Sequence, residues 1–358
     1  MNGRKNQWFK KSFIISCPVI MARTRVGDIF FSFLCILCLQ GFWPEKICAA
    51  DPVTVQLKWV HQAQFAGFYM AQEEGFYQDE NLDVSFLEGG KDVFPVTSIV
   101  EGKAGFSVMS PDDIFINRLR GVPIKAIAAI YRKSAVVFLS MPGSGIRRPH
   151  DFPGKTIAAA GEGAGVQDFF IQYSAMMHQL GIDTASIHLV PFSMDFSDFY
   201  AGKVDIIPVY VTAGLIKIQQ KGLRPNIIWP GDYRVRFYSD TLVTTDAMIA
   251  THPDVVTRFL RATLRGWTRV IQQSEKALEV TMKYARIKDK TLQMAMLNAQ
   301  APLVHTGDET IGWMRPEEWT QMHNILLEQK LLPVPLSPVS QLYTLDFIKA
   351  LRQVGGKN

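Results

Sequence analysis

Cysteine is confined to Cys17, Cys35, Cys38 and Cys48 and is missing from the rest of this 358-residue chain. Past residue 48 that absence excludes a disulfide framework, a cysteine-ligated zinc or iron site and a thiol nucleophile. Net charge is missing there as well. Of 38 Lys/Arg and 33 Asp/Glu, the first 50 residues hold seven basic side chains (Arg4, Lys5, Lys10, Lys11, Arg23, Arg25, Lys46) and two acidic ones (Asp28, Glu45), leaving 31 of each sign. A neutral body offers no electrostatic footprint to a phosphate polyanion, so no nucleic acid is expected as a partner. His61, His150, His178, His188, His252, His305 and His323 form no His-x-x-x-His pair and have no cysteines to join, so no metal site is expected. Gly161-Glu162-Gly163-Ala164-Gly165 lacks the Gly-Lys-Ser/Thr of a P-loop and the order of a dinucleotide turn. No nucleophile elbow is present, because Gly143-Ser144-Gly145 is not framed by a strand and a helix. These gaps leave no catalytic residue to name and no cofactor to assign.

The run Ile29 to Leu39 (IFFSFLCILCL) is about half the roughly 20 apolar residues that span a bilayer. Arg23 and Arg25 precede it, and Cys48-Ala49-Ala50 leads out of it to Asp51-Pro52. A basic segment, a short apolar run and a small-residue exit make a secretory signal. Residues 1–50 are therefore expected to be removed, leaving a soluble periplasmic protein that begins near Asp51.

The whole chain is 47% hydrophobic and 20% charged, the balance of a globular protein with a large core. From Val53, short β-branched segments (VTVQLKW, LDVSFLEG, GFSVMS, IKAIAAIY, VVFLSM) alternate with helical ones, as in a largely parallel sheet with crossover connections. The pattern restarts after Lys155 with TIAAA, GEGAG, VQDFFIQYSAMMHQLG, SIHLVPF and VDIIPVY. After YRVRFYSDTLVTT the chain turns helical. In PDVVTRFLRATLRGWTRVIQQ, Val256, Phe259, Leu260, Thr263, Leu264, Trp267, Val270 and Ile271 follow a 3.6-residue period, with Pro253 in the first turn. The expected architecture is α/β with two lobes, each a mostly parallel sheet flanked by helices. Lobe 1 takes residues 53–138 plus 240–350, and lobe 2 takes residues 139–239 with the hinge crossovers.

In open parallel sheets, ligands bind beyond the carboxyl ends of the strands. Trp59, His61, Gln62, Gln64, Phe65 and Tyr69 fall within eleven residues at the first such end. An aromatic plane with amides beside it suits a planar polar ligand, stacking on its face and reading its edge. Trp59 and Phe65 fit equally as core under a loop. Ser110, Asp112 and Asp113 open a helix after GFSVM, where the acids serve either a ligand or the cap. Gly161, Glu162 and Gly163 occupy the equivalent junction of the second unit, with backbone N–H groups at a helix N-terminus. Tyr210, Tyr238 and Asp240 complete the candidates.

VTVQLKWVHQAQFAGFYMAQEEGFYQDENLDV, DFPGK before TIAAAGEGAG, DFYAGKVDIIPVY and HPDVVTRFLRATLRGWTRVI, in that order, resemble the substrate-binding proteins of the thiamine-pyrimidine-precursor type. These are grouped with the sulfonate and taurine binders of ATP-binding-cassette (ABC) importers. The resemblance covers residues 53 to 350. It implies a type II periplasmic-binding-protein fold, in which two lobes joined by two crossovers close on a ligand. It also implies a monomer that delivers a small, pyrimidine-like molecule to a permease in the inner membrane. Carried over residue by residue, the aromatic of the first loop is Trp59, the amide pair is Gln62 and Gln64, and the second aromatic is Tyr69. Phe65 stands where members commonly have His, and Tyr210 where a Tyr follows the Val-Asp strand. A fungal branch is a pyrimidine-phosphate synthase using that His and a cysteine-rich iron segment, and this chain departs from it at both points. The expectation is thus a binding protein rather than an enzyme. The alternative is the same module presenting its ligand to a membrane kinase or cyclase.

Overall fold

The computed structural model describes residues 49–161 and 166–355. The expected signal segment, up to residue 48, and the site candidates Glu162 and Gly163 lie outside the described residues. Among the described residues no helix is long and apolar enough to cross a membrane.

Among the described residues, ten strands form two five-stranded sheets. The first contains β1 (Asp51–Gln56), β2 (Leu82–Leu87), β3 (Phe106–Met109), β4 (Ile124–Ala129) and, from much later in the chain, β10 (Thr241–Thr245). The second contains β5 (Val136–Ser140), β6 (Thr156–Ala160), β7 (His188–Pro191), β8 (Ile206–Tyr210) and β9 (Asn226–Ile228). Their orders, β2-β1-β3-β10-β4 and β7-β6-β8-β5-β9, repeat one topology.

Each sheet is mostly parallel, as expected, with four strands running one way and a single strand reversed. β1 pairs parallel with β2 and β3, and β6 with β7 and β8. β10 runs antiparallel to β3 and β4, and β5 antiparallel to β8 and β9. The reason is the path of the chain. It leaves each sheet at the carboxyl edge and enters the other at that sheet's carboxyl edge, so the entering strand must run backwards. The sheet membership of β5 also moves the first boundary: all of Val136–Ser140 pairs in the second sheet, so the crossing lies at residues 130–135 and not at 138/139.

The two crossovers lie side by side. Ile130 and Tyr131 N–H donate to the Asp240 carbonyl at 2.7 and 3.1 Å, and Ala135 N–H donates to Ser239 Oγ at 2.8 Å. This double connection sits at the strand ends where ligand-reading loops emerge.

The helix Pro253–Gln272 buries Val256, Phe259, Leu260, Thr263, Trp267 and Val270 as its period predicts, while Leu264 and Ile271 are half-buried. It packs on the helix Ala66–Glu73, which follows the first loop. The crossing is tight because both helices carry glycine there. A Cβ on Gly266 would stand 2.1 Å from the Gly67 carbonyl oxygen, and one on Gly67 would stand 2.2 Å from the Trp267 ring. Backbone cannot yield as a side-chain tip can. Gly266→Ala is therefore expected to destabilise the fold by about 1–3 kcal/mol, the usual cost of overpacking, and urea denaturation measures it. A change within 0.5 kcal/mol, on the order of an ordinary surface substitution, would mean that the helices can separate freely.

Candidate functional site

β1 ends at Gln56, and the chain beyond it turns into the space between the sheets. Gln56 Nε2 donates to the carbonyls of Leu57, Leu87 and Glu88 at 2.9 to 3.3 Å, which ties this exit to the end of β2. A short 3-10 turn, Ala63–Phe65, then leads into the helix Ala66–Glu73. Two buried glutamines of the helix Lys290–Val304 hold that turn from behind. Gln293 Oε1 accepts from Ala63 N–H at 2.8 Å, and Gln300 Nε2 donates to the Ala63 carbonyl at 2.9 Å. With both polar groups of Ala63 bound, its neighbours Gln62 and Gln64 are left facing inward.

They face a cavity of about 140 Å³. The first sheet's loop supplies Lys58, Trp59, Gln62 and Gln64. The second sheet's side supplies Phe169, Phe192, Phe196, Val209 and Tyr210, with Met194 and Lys217 also on the lining. Phe192 to Ser197 is a shaped loop. Asp195 Oδ1 accepts from Ser193 Oγ, Ser197 N–H and Ser197 Oγ at 2.9 to 3.0 Å, and Phe196 lies in the left-handed region at φ 57°, uncommon for a bulky residue. Gly214 lets the next helix lie against β8, since a Cβ there would come within 2.6 Å of Val209 Cβ.

A hydrogen-bonded chain crosses this cavity from one sheet to the other. Gln62 Nε2 donates to Gln64 Oε1 at 2.8 Å, and Gln64 Nε2 to Asp240 Oδ2 at 2.8 Å. Asp240 Oδ1 forms an ion pair with Lys58 Nζ at 3.0 Å, their side chains being 1% and 11% exposed. Lys58 Nζ also donates to Ser110 Oγ at 2.8 Å and to Tyr210 Oη at 3.0 Å. Tyr210 donates in turn to Asp168 Oδ2 at 2.9 Å, and Gln172 Nε2 donates to Asp168 Oδ1 at 2.6 Å. Ser134 Oγ, in the first crossover, donates to Gln172 Oε1 at 2.8 Å. Burial pulls the Lys58 ammonium down, but Asp240, then Tyr210 and Asp168, outweigh it and hold its pKa well above the usual lysine value. Burial pushes the Asp168 carboxyl up against the pull of Lys58. Asp112, 2% exposed, is pushed well above the carboxylate range by burial, then by Asp113 and Asp168, and its Oδ1 is buried without a partner.

Residues 62–277 match the NMT1/THI5-like family. The chain belongs to that family. Among its relatives, the riboflavin-binding protein RibY of Chloroflexus aurantiacus is 23% identical over 317 residues, covering 85% of this chain and 88% of RibY. The formylaminopyrimidine-binding protein of Halalkalibacterium halodurans is 20% identical over 320 residues, covering 84% and 96%. The 4-amino-5-hydroxymethyl-2-methylpyrimidine phosphate synthase of Legionella pneumophila is 26% identical over 239 residues, covering 64% and 72%. In three dimensions, the periplasmic aliphatic sulphonate-binding protein SsuA of Escherichia coli superposes with a TM-score of 0.68 at 12% identity, covering 82% of this chain and 92% of SsuA. The fold is thus that of the periplasmic binding proteins.

Within this NMT1/THI5-like frame the structure brings together Trp59, Gln62, Gln64 and Tyr210 at the cavity, with Ser110 and Asp240 joined to them through Lys58. Asp112 lies behind Ser110 in the first turn of the helix Pro111–Leu119, and Ser110 makes no side-chain cap. Gly161 follows β6 with φ 122° and is not on the cavity lining. Three expected residues turn elsewhere. Phe65 is fully buried in the core. Tyr69 is fully buried too, bonding His61 Nδ1 at 2.8 Å and stacking on Tyr284 at 4.3 Å. Tyr238 accepts from Arg315 N–H at 2.7 Å and packs on Trp319.

Lys58, Asp168, Phe169, Phe192, Phe196 and Lys217 escaped the reading of the sequence. Asp168 had a visible signal. It lies on the same helix face as Ile171, Gln172 and Ala175, and a carboxylate on a buried face needs a partner.

Proposed function

We propose that this protein is exported to the periplasm, where it binds a small planar, pyrimidine-like heteroaromatic molecule between its two sheets and delivers it to an ABC permease. The observation that carries the reading is a single cavity with walls from both sheets, one side bearing Trp59 and the Gln62–Gln64 amides, the other a bank of aromatic rings. Aromatic faces stack a flat ring, and amides, each both donor and acceptor, read its edge. Because each sheet supplies only part of the enclosure, a ligand binds the closed form better than the open one, and a permease can read that difference. The two relatives named for riboflavin and formylaminopyrimidine support a flat, nitrogen-rich ligand.

Binding rather than turnover is the better reading. The position where the resemblance places a donor His holds Phe65, buried away from the cavity. Of the polar groups that reach the cavity, Lys58, Gln62, Gln64 and Tyr210 are engaged in one hydrogen-bonded network.

The test is a calorimetric and melting screen of protein purified from the periplasm, denatured and refolded to strip any bound compound. Formylaminopyrimidine, riboflavin and ethanesulfonate are the probes. A binder at a hundredfold excess over its Kd adds about 2.7 kcal/mol of stability. Binding of a flat heterocycle is expected. Binding of the sulfonate alone, or recovery of a chemically altered heterocycle, would overturn the reading.

A further inference from the structure

A second cavity, of about 340 Å³, lies at the double connection. Its walls include Lys133 and Ser134 of the first crossover and Val235, Arg236 and Phe237 of the second, and no residue lines both it and the cavity that holds Gln62 and Gln64. Arg132 is the buried charge on this lining, its side chain 3% exposed. A guanidinium has five N–H donors. Nε donates to the Trp313 carbonyl at 3.1 Å, and Nη1 donates to Thr306 Oγ1 and, at 2.8 Å, to Asp308 Oδ1. Those bonds use three donors, and Nη2 makes none among the described residues. The backbone is fixed as well, since Arg132 N–H donates to the Leu303 carbonyl at 2.8 Å. Two donors of a buried cation are thus held in place with no group of the protein to receive them, and buried polar groups need partners.

The charges around Arg132 call for the same kind of partner. Asp308 is engaged on both oxygens, Oδ1 by Arg132 and Oδ2 by Arg315 at 2.8 Å. The other carboxylates of the lining are Asp232 and Glu318. Against them stand Lys133 and Arg236, one exposed cation from each crossover, and neither forms an ion pair among the described residues. Four cations and three carboxylates leave the lining with one positive charge in excess. Val136, Trp229 and Phe237 add an apolar wall. A concave, partly apolar space with a few placed polar groups is the form of a small-molecule site, and its volume lies within the usual range of about 300–1,000 Å³.

From this arrangement we infer that the double connection carries a second binding site, for a small organic monoanion of the carboxylate class. Its charged end meets Arg132 Nη2, with Lys133 and Arg236 completing the charge balance, and its apolar body lies against Trp229. The inference does not depend on what the other cavity holds.

Calorimetry on the refolded protein tests it with benzoate and with benzyl alcohol, which keeps the ring and drops the charge. Benzoate is expected to bind about tenfold or more tightly than the alcohol, a ratio of the order a charge-assisted hydrogen bond supplies. The preference should shrink at high salt, where exposed charges are screened. Lys133 and Arg236 are exposed, so Lys133→Gln and Arg236→Gln should melt like wild type. Each is expected to weaken benzoate about threefold, the order of an exposed ion pair, and the double variant should weaken it further. The alcohol should be unaffected. No measurable binding of benzoate, equal binding of the alcohol, or benzoate binding that survives undiminished in the double variant would overturn the inference. The ring screen above reads the other cavity, so either result can fail without the other.

Discussion

Lys58→Met is expected to lower stability at pH 7 by about 3–5 kcal/mol, the cost of leaving a buried charge without its partner. Asp240 would lose its counterion at 3.0 Å, and Tyr210 and Ser110 would lose their donor. Methionine fills much the same volume, so packing contributes little to the loss. The pH dependence has a definite sign. Asp168 is already pushed up by burial and held down by Lys58, so removing the ammonium moves it further up. A carboxylate whose pKa is higher in the folded state binds more protons there than in the unfolded chain. Stability therefore rises as pH falls from that raised value towards the ordinary one of about 4. The variant's deficit should shrink between pH 7 and pH 5. In wild type the lysine acts oppositely at the alkaline end. Its contribution is complete below the unfolded value of about 10.4 and is lost as pH climbs through the raised folded one. Urea titrations of both proteins at about pH 5 and 7 measure the first effect, and titrations at about pH 9 and 11 the second. A loss under 1 kcal/mol at pH 7, the order of an exposed pair, would show that the network carries no buried charge.

Trp59→Ala is expected to weaken ring binding by about 1–3 kcal/mol, the range found when a base loses its aromatic stacking partner. The side chain lines the cavity and is only half-buried, so the unliganded protein should melt at nearly the wild-type temperature. Phe65, six residues on, is the contrast. It is fully buried, and its truncation should cost about 3–5 kcal/mol of stability, as emptying a core aromatic does. If Trp59→Ala unfolds as readily as Phe65→Ala, Trp59 is core and another residue stacks the ligand. Calorimetry and thermal melts on the two variants, each with and without ligand, separate these outcomes.

The contrast between these two aromatics marks how much of the site was legible in the sequence. That a cluster of aromatics and amides lies at the end of the first strand follows from local pattern. β-branched alternation stops at Gln56, and helix Ala66–Glu73 starts ten residues later. Which members of the cluster face a ligand depends on what packs behind the turn. Gln293 and Gln300 grip Ala63 from a helix more than two hundred residues away, and that grip turns Gln62 and Gln64 inward. Tyr69, read as a ligand contact, finds His61 and Tyr284 instead.

The same division holds for the fold. By itself the sequence determined the strand and helix segments, their repetition in two units and the buried face of Pro253–Gln272. All of these express periodicities of two or 3.6 residues and need only near neighbours. Tertiary structure alone decided that β5 joins the second sheet, that β5 and β10 run backwards, and that Lys58 meets Tyr210 and Asp240. A buried strand's hydrophobicity is the same in whichever sheet receives it. A lysine next to an apolar strand carries no mark of a partner that stands 152 residues along the chain. Burial made that partner obligatory, and the path of the chain between the two sheets selected it.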